Sequence, residues 1–157
     1  MTMLVEKSPF RLRSPAFAYG SLIPREYTCD GRNVNPPLSI ENIPRYTESL
    51  ALIMEDPDSP GGAWIHWRVW NINPKTTAIK ENSVPKGALQ GVNTFGDQKY
   101  SGPCPRSGEH SYVFRLYALQ HAIEIPTEAS DLMLRNALIG NVLGEADLVG
   151  YYHRDSK

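Results

Sequence analysis

Thirteen prolines in 157 residues constrain the fold of this chain more than any other feature of its sequence. Proline has no amide hydrogen and a fixed φ angle, so it interrupts helices and is kept out of the interior of sheets. Pro24, Pro57, Pro85 and Pro126 are among those that divide the chain into short segments. A chain punctuated in this way cannot consist mainly of long helices.

The segments between the prolines are typical of β-strands. The sequence predicts strands at residues 10–14, 49–54, 64–72, 110–119 and 146–152. In segment 110–119, period-2 alternation gives two apolar faces, one with Tyr112 and Phe114 and the other with Val113 and Tyr117. Apolar residues on both faces indicate a strand that is covered on each side.

One helix is predicted, at residues 130–143. Ser130 is a suitable N-cap, and Gly144 fits the C′ position that ends many helices. The apolar residues between them form a broad surface that should dock on the sheet. The predicted fold class is therefore mostly β with a C-terminal helix, and the length suits a single domain spanning residues 1–157.

Composition excludes several functional classes. Sixteen Lys and Arg against 17 Asp and Glu give a formal charge of −1, without the basic excess of a general nucleic-acid binder. No apolar run reaches the roughly 18–20 residues that span a bilayer, and Met3-Leu4-Val5 is too short for a signal peptide. We therefore expect a soluble, cytoplasmic protein. Two cysteines, Cys29 and Cys104, are too few for a four-ligand zinc site or a disulfide framework.

Two neighbouring segments carry candidate chemistry. Residues 56–62 place Asp56 and Asp58 where a buried strand emerges, although Asp, Pro, Ser and Gly also form ordinary turns. In the following strand, period 2 places Trp64 and His66 on one face and Ile65 and Trp67 on the other. A lone strand histidine is often structural, but an imidazole beside a tryptophan suits a pocket.

The third candidate segment, residues 102–112, overlaps the end of a glycine-rich stretch that runs from residue 85 to 108. Glycine permits close backbone approach and proline fixes the shape of a loop. His110 and Tyr112 share one face of the strand that follows, so imidazole and phenol donors could hold an oxyanion together. The alternative is a structural loop with core aromatic residues behind it.

These segments resemble the signatures of the phosphatidylethanolamine-binding protein family, also called the Raf-kinase-inhibitor-like family, in its bacterial and archaeal branch. Asp-Pro-Asp-x-Pro followed by Trp-x-His is similar to residues 56–66, and Gly-Pro-x-Pro-x-x-Gly-x-His-x-Tyr to residues 102–112. The branch's Tyr-Thr-Cys-Asp-Gly motif is similar to residues 27–31. The resemblance extends from about residue 15 to residue 152.

The resemblance implies a β-sandwich with a small anion-binding pocket at one edge. It implies that the pocket takes a phosphate-like anion or a phospholipid headgroup, with no cofactor and no metal. It further implies that the protein binds and inhibits an unidentified partner protein, as kinase or protease inhibitors do. By motif position, the ligand-binding residues would be Asp56, Pro60, His66, Gly102, Pro103, His110 and Tyr112.

Two positions depart from the family pattern. Arg106 stands where bacterial relatives commonly have a second proline, which makes the loop less rigid and adds a cation near the expected anion site. Asn141 stands where a histidine is frequent, outside both signatures. Cys29 and Cys104 would come close enough to pair if their two segments border one site, although a reducing cytoplasm disfavours disulfides. The sequence leaves their pairing open, as it does the oligomeric state, for which a homodimer is one option.

Two other functions compete with non-enzymatic binding. A serine hydrolase could use Ser59, Ser101 or Ser107 near the histidines, but the chain has no Gly-x-Ser-x-Gly elbow. Asp56, His66 and His110 suit several divalent metal ions, but their spacing matches no metal motif. We therefore rank a non-enzymatic ligand-binding or inhibitor protein first and an uncharacterised hydrolase second.

Overall fold

A computed structural model describes residues 8–154, so the predicted role of Met3-Leu4-Val5 lies outside the described residues. Eight strands and one α-helix, α1 (Asp131–Leu138), account for most of the regular structure of this range. The strands are β1 (Arg11–Arg13), β2 (Leu38–Glu41), β3 (Ser49–Asp56), β4 (Trp64–Ile72), β5 (Ala78–Ile79), β6 (Leu89–Gln90), β7 (His110–Leu119) and β8 (Val142–Tyr152). A short 3-10 turn covers Arg25–Tyr27.

The strands form two antiparallel sheets that pack as a sandwich. One sheet has the order β1-β2-β5 and the other the order β6-β4-β3-β7-β8. The main core lies between them, with side chains such as Leu12 and Ile40 from the small sheet facing Leu52 and Phe114 from the large one. A second apolar cluster covers the outer face of the large sheet. The prediction of a mostly β sandwich is confirmed.

Strand β7 has the two covered faces that its sequence predicts. Tyr112 and Phe114 belong to the core between the sheets, whereas Tyr117 and Leu119 belong to the cluster on the outer face. The strand pairs with β3 on one side and with β8 on the other. It therefore runs through the interior of the sheet and holds its first residue, His110, in a fixed direction.

The predicted end of the helix is wrong. Ser130 caps α1 as expected, since its hydroxyl accepts a hydrogen bond from the Met133 amide, but the helix ends at Leu138. Gly140, with φ of 73°, supplies the left-handed residue just beyond the helix, four positions before Gly144. Residues 142–143 therefore belong to β8. Within the described residues, no helix is long and apolar enough to cross a membrane.

The apolar surface of the helix is narrower than the sequence predicts. Leu134 and Leu138 are buried against the outer face of the large sheet, whereas Leu132, Met133 and Ile139 are exposed. Of the strand predicted at residues 10–14, only Arg11–Arg13 is a strand in the structure. Three further strands, β2, β5 and β6, were not predicted, and each is two to four residues long. Such short strands are stabilised by their partners in the sheet, which no local pattern reveals.

Candidate anion-binding cavity

A cavity of about 310 Å³ opens at the edge of the sandwich where β3 ends and β7 begins. It combines an apolar wall with a few polar groups, which is the usual composition of a small-molecule site. The lining residues are Asp56, Ser59, Pro60, Trp64, His66, Phe95, Cys104, Pro105, Arg106, Ser107, His110 and Tyr112. The structure thus brings together five of the predicted residues, namely Asp56, Pro60, His66, His110 and Tyr112.

A β-bulge aims His66 into this cavity. Met54 pairs with Trp67 and Glu55 pairs with Ile65, so His66 is an extra residue of β4 without a partner on β3. The bulge overturns one prediction, because Ile65 and Trp67 do not share a face: Ile65 lies in the outer cluster and Trp67 in the core between the sheets. Trp64 and His66 do line the same cavity.

His66 is buried and has one ring nitrogen engaged. Its Nδ1 lies 2.6 Å from the carbonyl oxygen of Ser101, which can only accept, so Nδ1 carries a hydrogen and donates it. Burial lowers the pKa of His66, although the Ser101 carbonyl and the negative charge of Asp56 act in the opposite direction. The neutral form is therefore favoured, and Nε2 becomes a donor only when the ring takes up a second proton.

The two aspartates of the first signature have different roles. The Oδ2 atom of Asp56 accepts a 2.6 Å hydrogen bond from Nδ1 of His110, which fixes that ring and leaves its Nε2 for a ligand. Asp58 does not line the cavity; its Oδ2 atom accepts hydrogen bonds from the amide and the hydroxyl of Ser111, which hold the pKa of Asp58 below its usual value. The turn after β3 is thereby fastened to the start of β7.

Tyr112 lies close to both imidazoles. Its ring is 5.3 Å from that of His66 and 6.5 Å from that of His110, centre to centre. The hydroxyl is fully buried and has no hydrogen-bond acceptor among residues 8–154. Burial raises the pKa of Tyr112 and the charge of Asp56 raises it further, whereas the Cys104 amide acts in the opposite direction, so the hydroxyl keeps its proton and can donate. Buried hydroxyls rarely remain without an acceptor.

The mouth of the cavity contains one residue, Phe95, that the sequence did not point to, beside Trp64 and Arg106. The rings of Trp64 and Phe95 lie 4.9 Å apart, and Phe95 also contacts the ring of His66 edge-on at 5.2 Å. Phe95 was missed because it lies in the long loop outside both signatures; its only sequence signal is a large aromatic residue in a glycine-rich segment. Arg106 is exposed at the rim, so a cation does border the cavity.

Gly102 and Pro103 do not line the cavity but hold the loop that forms its wall. The Gly102 amide donates to Oδ1 of Asn33 at 2.7 Å, and the Pro103 carbonyl accepts from the Cys29 amide at 3.1 Å. Cys29 and Cys104 form a disulfide, with their Cα atoms 5.5 Å apart. The pairing that the sequence left open is thus present, and the close approach that Gly102 permits is to the chain's own backbone.

Other candidate sites are less complete. A larger hollow of about 500 Å³ runs along β1 and β8, but its lining includes no histidine and its core side chains, such as Leu12 and Leu148, are almost fully buried. Within residues 8–154, no three His, Cys, Asp or Glu side chains lie close enough to hold a metal ion. Ser59 and Ser107 line the cavity, yet neither hydroxyl bonds to an imidazole in the described part of the chain.

Comparisons with known proteins agree with this architecture. The family model described as phosphatidylethanolamine-binding protein matches residues 13–153. A UPF0098 protein of Methanothermobacter thermautotrophicus is 46% identical over 148 residues, covering 91% of this chain and 98% of the relative. The crystal structure of CT736 from Chlamydia trachomatis, described as a phosphatidylethanolamine-binding protein homologue, has a TM-score of 0.89 and 39% identity, covering 94% and 99% of the two chains. Escherichia coli YbcL has a TM-score of 0.88 and 28% identity, covering 94% and 100%.

Proposed function

The chain belongs to the phosphatidylethanolamine-binding protein family, and we propose that it binds a phosphate-like anion in the cavity of His66, His110 and Tyr112. The observation that carries this proposal is the buried hydroxyl of Tyr112, a protonated donor without an internal acceptor, whose ring lies close to two imidazoles. An oxyanion would supply the missing acceptor. The anion is either free phosphate or the phosphate of a phospholipid headgroup.

Each polar group of the cavity has a distinct part in binding. Tyr112 donates from its hydroxyl, and His110, whose Nδ1 hydrogen goes to Asp56, donates from Nε2 when its ring carries both hydrogens. His66 donates from Nε2 once it is protonated, so binding of the anion takes up a proton there. Arg106 adds a positive charge from the exposed rim, where it can reach an anion at the mouth.

We further propose that the whole chain acts as one domain and that it has no catalytic turnover. We also propose that it modulates a partner protein, as kinase- or protease-inhibitor-like proteins do. Capture of partners with wild-type protein and with a cavity variant would test the modulation of a partner, since a partner that depends on the cavity is lost in the variant. The cytoplasmic location stays a prediction, and the disulfide is more typical of an oxidising compartment.

His110→Ala is expected to weaken the binding of sulfate by about 1–3 kcal/mol, the usual size of one lost hydrogen bond to a charged group. Sulfate is the better probe because phosphate has its own ionisation near pH 6. The measurement is isothermal calorimetry, with turnover of phosphate and acyl esters assayed in parallel. His121→Ala is the matched control, because His121 is exposed beyond the opposite end of β7.

Equal losses in the two variants would show that the cavity is not the sulfate site. Ester turnover by the wild type that disappears in His66→Ala would favour an uncharacterised hydrolase that uses the aspartate and histidines of this cavity. Binding without turnover is the result expected for a non-enzymatic ligand-binding protein.

Sulfate affinity is expected to rise as the pH falls, and to go on rising below pH 6.5. The sign follows from His66: burial holds its pKa in the free protein below the ordinary 6.5, whereas a bound anion favours the charged ring. Binding therefore takes up a proton between the free and bound pKa values, and affinity falls as the pH rises through that interval. Calorimetry from pH 5 to 8.5 tests this, and His66→Gln should reduce the increase below pH 6.5. A wild-type affinity that is flat over this range would contradict the role given to His66.

A further inference from the structure

One wall of the cavity is tied to a distant part of the chain by a covalent bond. Cys104 lines the cavity and is bonded to Cys29, which precedes it by 75 positions in the sequence. Both cysteines are partly exposed, so a small dithiol can reach the bond from solvent. Neither belongs to the apolar core between the two sheets. The disulfide therefore holds the wall of the cavity in place and does not contribute to the packing of the core.

The non-covalent contacts between these two segments stop just before Cys104. Tyr100 donates from its hydroxyl to the Tyr27 carbonyl at 2.7 Å. The amide of Gly102 and the carbonyl of Pro103 bond to Asn33 and Cys29, as described above. These bonds fix the loop as far as Pro103, with or without the disulfide.

Beyond Cys104 the wall has little else to hold it. Residues 105–108 form no hydrogen bond with any other residue in the described part of the chain. The next fixed points are Glu109, whose carboxylate pairs with His153, and His110, which is held by Asp56 and by the pairing of β7. Pro105, Arg106 and Ser107, which line the cavity, thus lie between the disulfide on one side and His110 on the other. Because residue 106 is an arginine and not a proline, its φ angle is not fixed and this stretch is less rigid.

We infer that the Cys29–Cys104 disulfide is a redox switch on the cavity, and that its reduction weakens the binding of the anion. This inference rests on the proposed function. In the reduction, a thiolate of a dithiol attacks one sulfur of the bond, the second thiolate of the dithiol releases the mixed disulfide, and the dithiol becomes a cyclic disulfide. Cys29 and Cys104 gain two electrons and two protons in total and become thiols. Reoxidation by a disulfide reagent reverses the exchange and restores the wall.

The expected loss is about tenfold in sulfate affinity. If the freed wall spends about one tenth of its time in the conformation that lines the cavity, the apparent affinity falls in the same proportion. His66 and His110 keep their hydrogen bonds and Tyr112 keeps its pairing in the sheet, so binding is weakened and not abolished.

The test is sulfate calorimetry on the wild-type protein in its oxidised form, after treatment with dithiothreitol, and after reoxidation. Cys29→Ser should bind like the reduced wild type in all three conditions, and near-ultraviolet circular dichroism confirms the fold of each sample. The double variant Cys29→Ser with Cys104→Ser controls for the reagent, because its affinity should not respond to dithiothreitol. Tenfold weaker binding that recovers on reoxidation is the expected result.

Proteolysis gives a second readout that does not depend on the ligand. Trypsin should cleave after Arg106 faster in the reduced protein, whereas cleavage after Arg45, exposed in the turn between β2 and β3, should not change. Equal sulfate affinity and equal cleavage after Arg106 in the two redox states would overturn the switch. Failure of sulfate to bind in either state, with faster cleavage after Arg106 on reduction, would overturn the proposed function and leave the redox control of the loop intact.

Discussion

The free energy of unfolding is expected to fall by about 4 kcal/mol when the Cys29–Cys104 bond is reduced. The bond closes a loop between residues 75 positions apart, and the chain entropy that a crosslink removes from the unfolded state increases with the length of the loop. Urea unfolding, monitored by tryptophan fluorescence with and without dithiothreitol, measures the difference directly. Because domains of this size have about 5–15 kcal/mol of stability, the reduced protein should remain folded.

The double variant Cys29→Ser with Cys104→Ser provides the matched control for this measurement. Its free energy of unfolding should equal that of the reduced wild type and should be the same in both buffers. A difference of less than about 1 kcal/mol between oxidised and reduced wild type would contradict the prediction, because the unfolded state would then have gained almost nothing from the loss of the crosslink.

The long strands could be predicted from the sequence, whereas several of their details could not. β4 and β7 begin and end where their alternating apolar residues predict, because a strand of nine or ten residues has a periodic pattern of its own. The extra residue at His66 leaves no such signal, since a bulge depends on how two strands pair and not on either one alone. The helix end was wrong because two glycines, Gly140 and Gly144, compete for the same role.

The candidate site shows the same division. The two signatures contain Asp56, His66, His110 and Tyr112, and all four line one cavity. They do so because each lies in or next to a strand end, and these strand ends meet at one edge of the sandwich. The pairing of Cys29 with Cys104 depends on contacts across 75 positions, which spacing alone cannot predict. For that reason the sequence left the disulfide open, and it assigned Gly102 to the ligand when its close contact is with the chain itself.

Gly102→Ala is expected to lower the free energy of unfolding by about 2–4 kcal/mol and to weaken sulfate binding. A Cβ at this position would overlap the carbonyl oxygen of Tyr27 and would lie 2.8 Å from Oδ1 of Asn33 and 2.9 Å from Cα of Thr28. Backbone atoms make up most of this contact, so the loop has to move away. It then loses the 2.7 Å hydrogen bond from the Gly102 amide to Asn33, which anchors the cavity wall.

Urea unfolding and sulfate calorimetry on Gly102→Ala measure the two effects, with Gly87→Ala as the control. Gly87 has a φ of 84° and no heavy atom within 4 Å of an added Cβ, so alanine there should cost only about 1–2 kcal/mol of backbone strain and leave sulfate binding unchanged. The two variants therefore distinguish two causes of lost stability: steric overlap with Tyr27 at Gly102, and backbone strain at the left-handed residue Gly87. Normal sulfate affinity in Gly102→Ala, together with a loss of stability no larger than that of Gly87→Ala, would show that the cavity wall does not depend on its contact with residues 27–33.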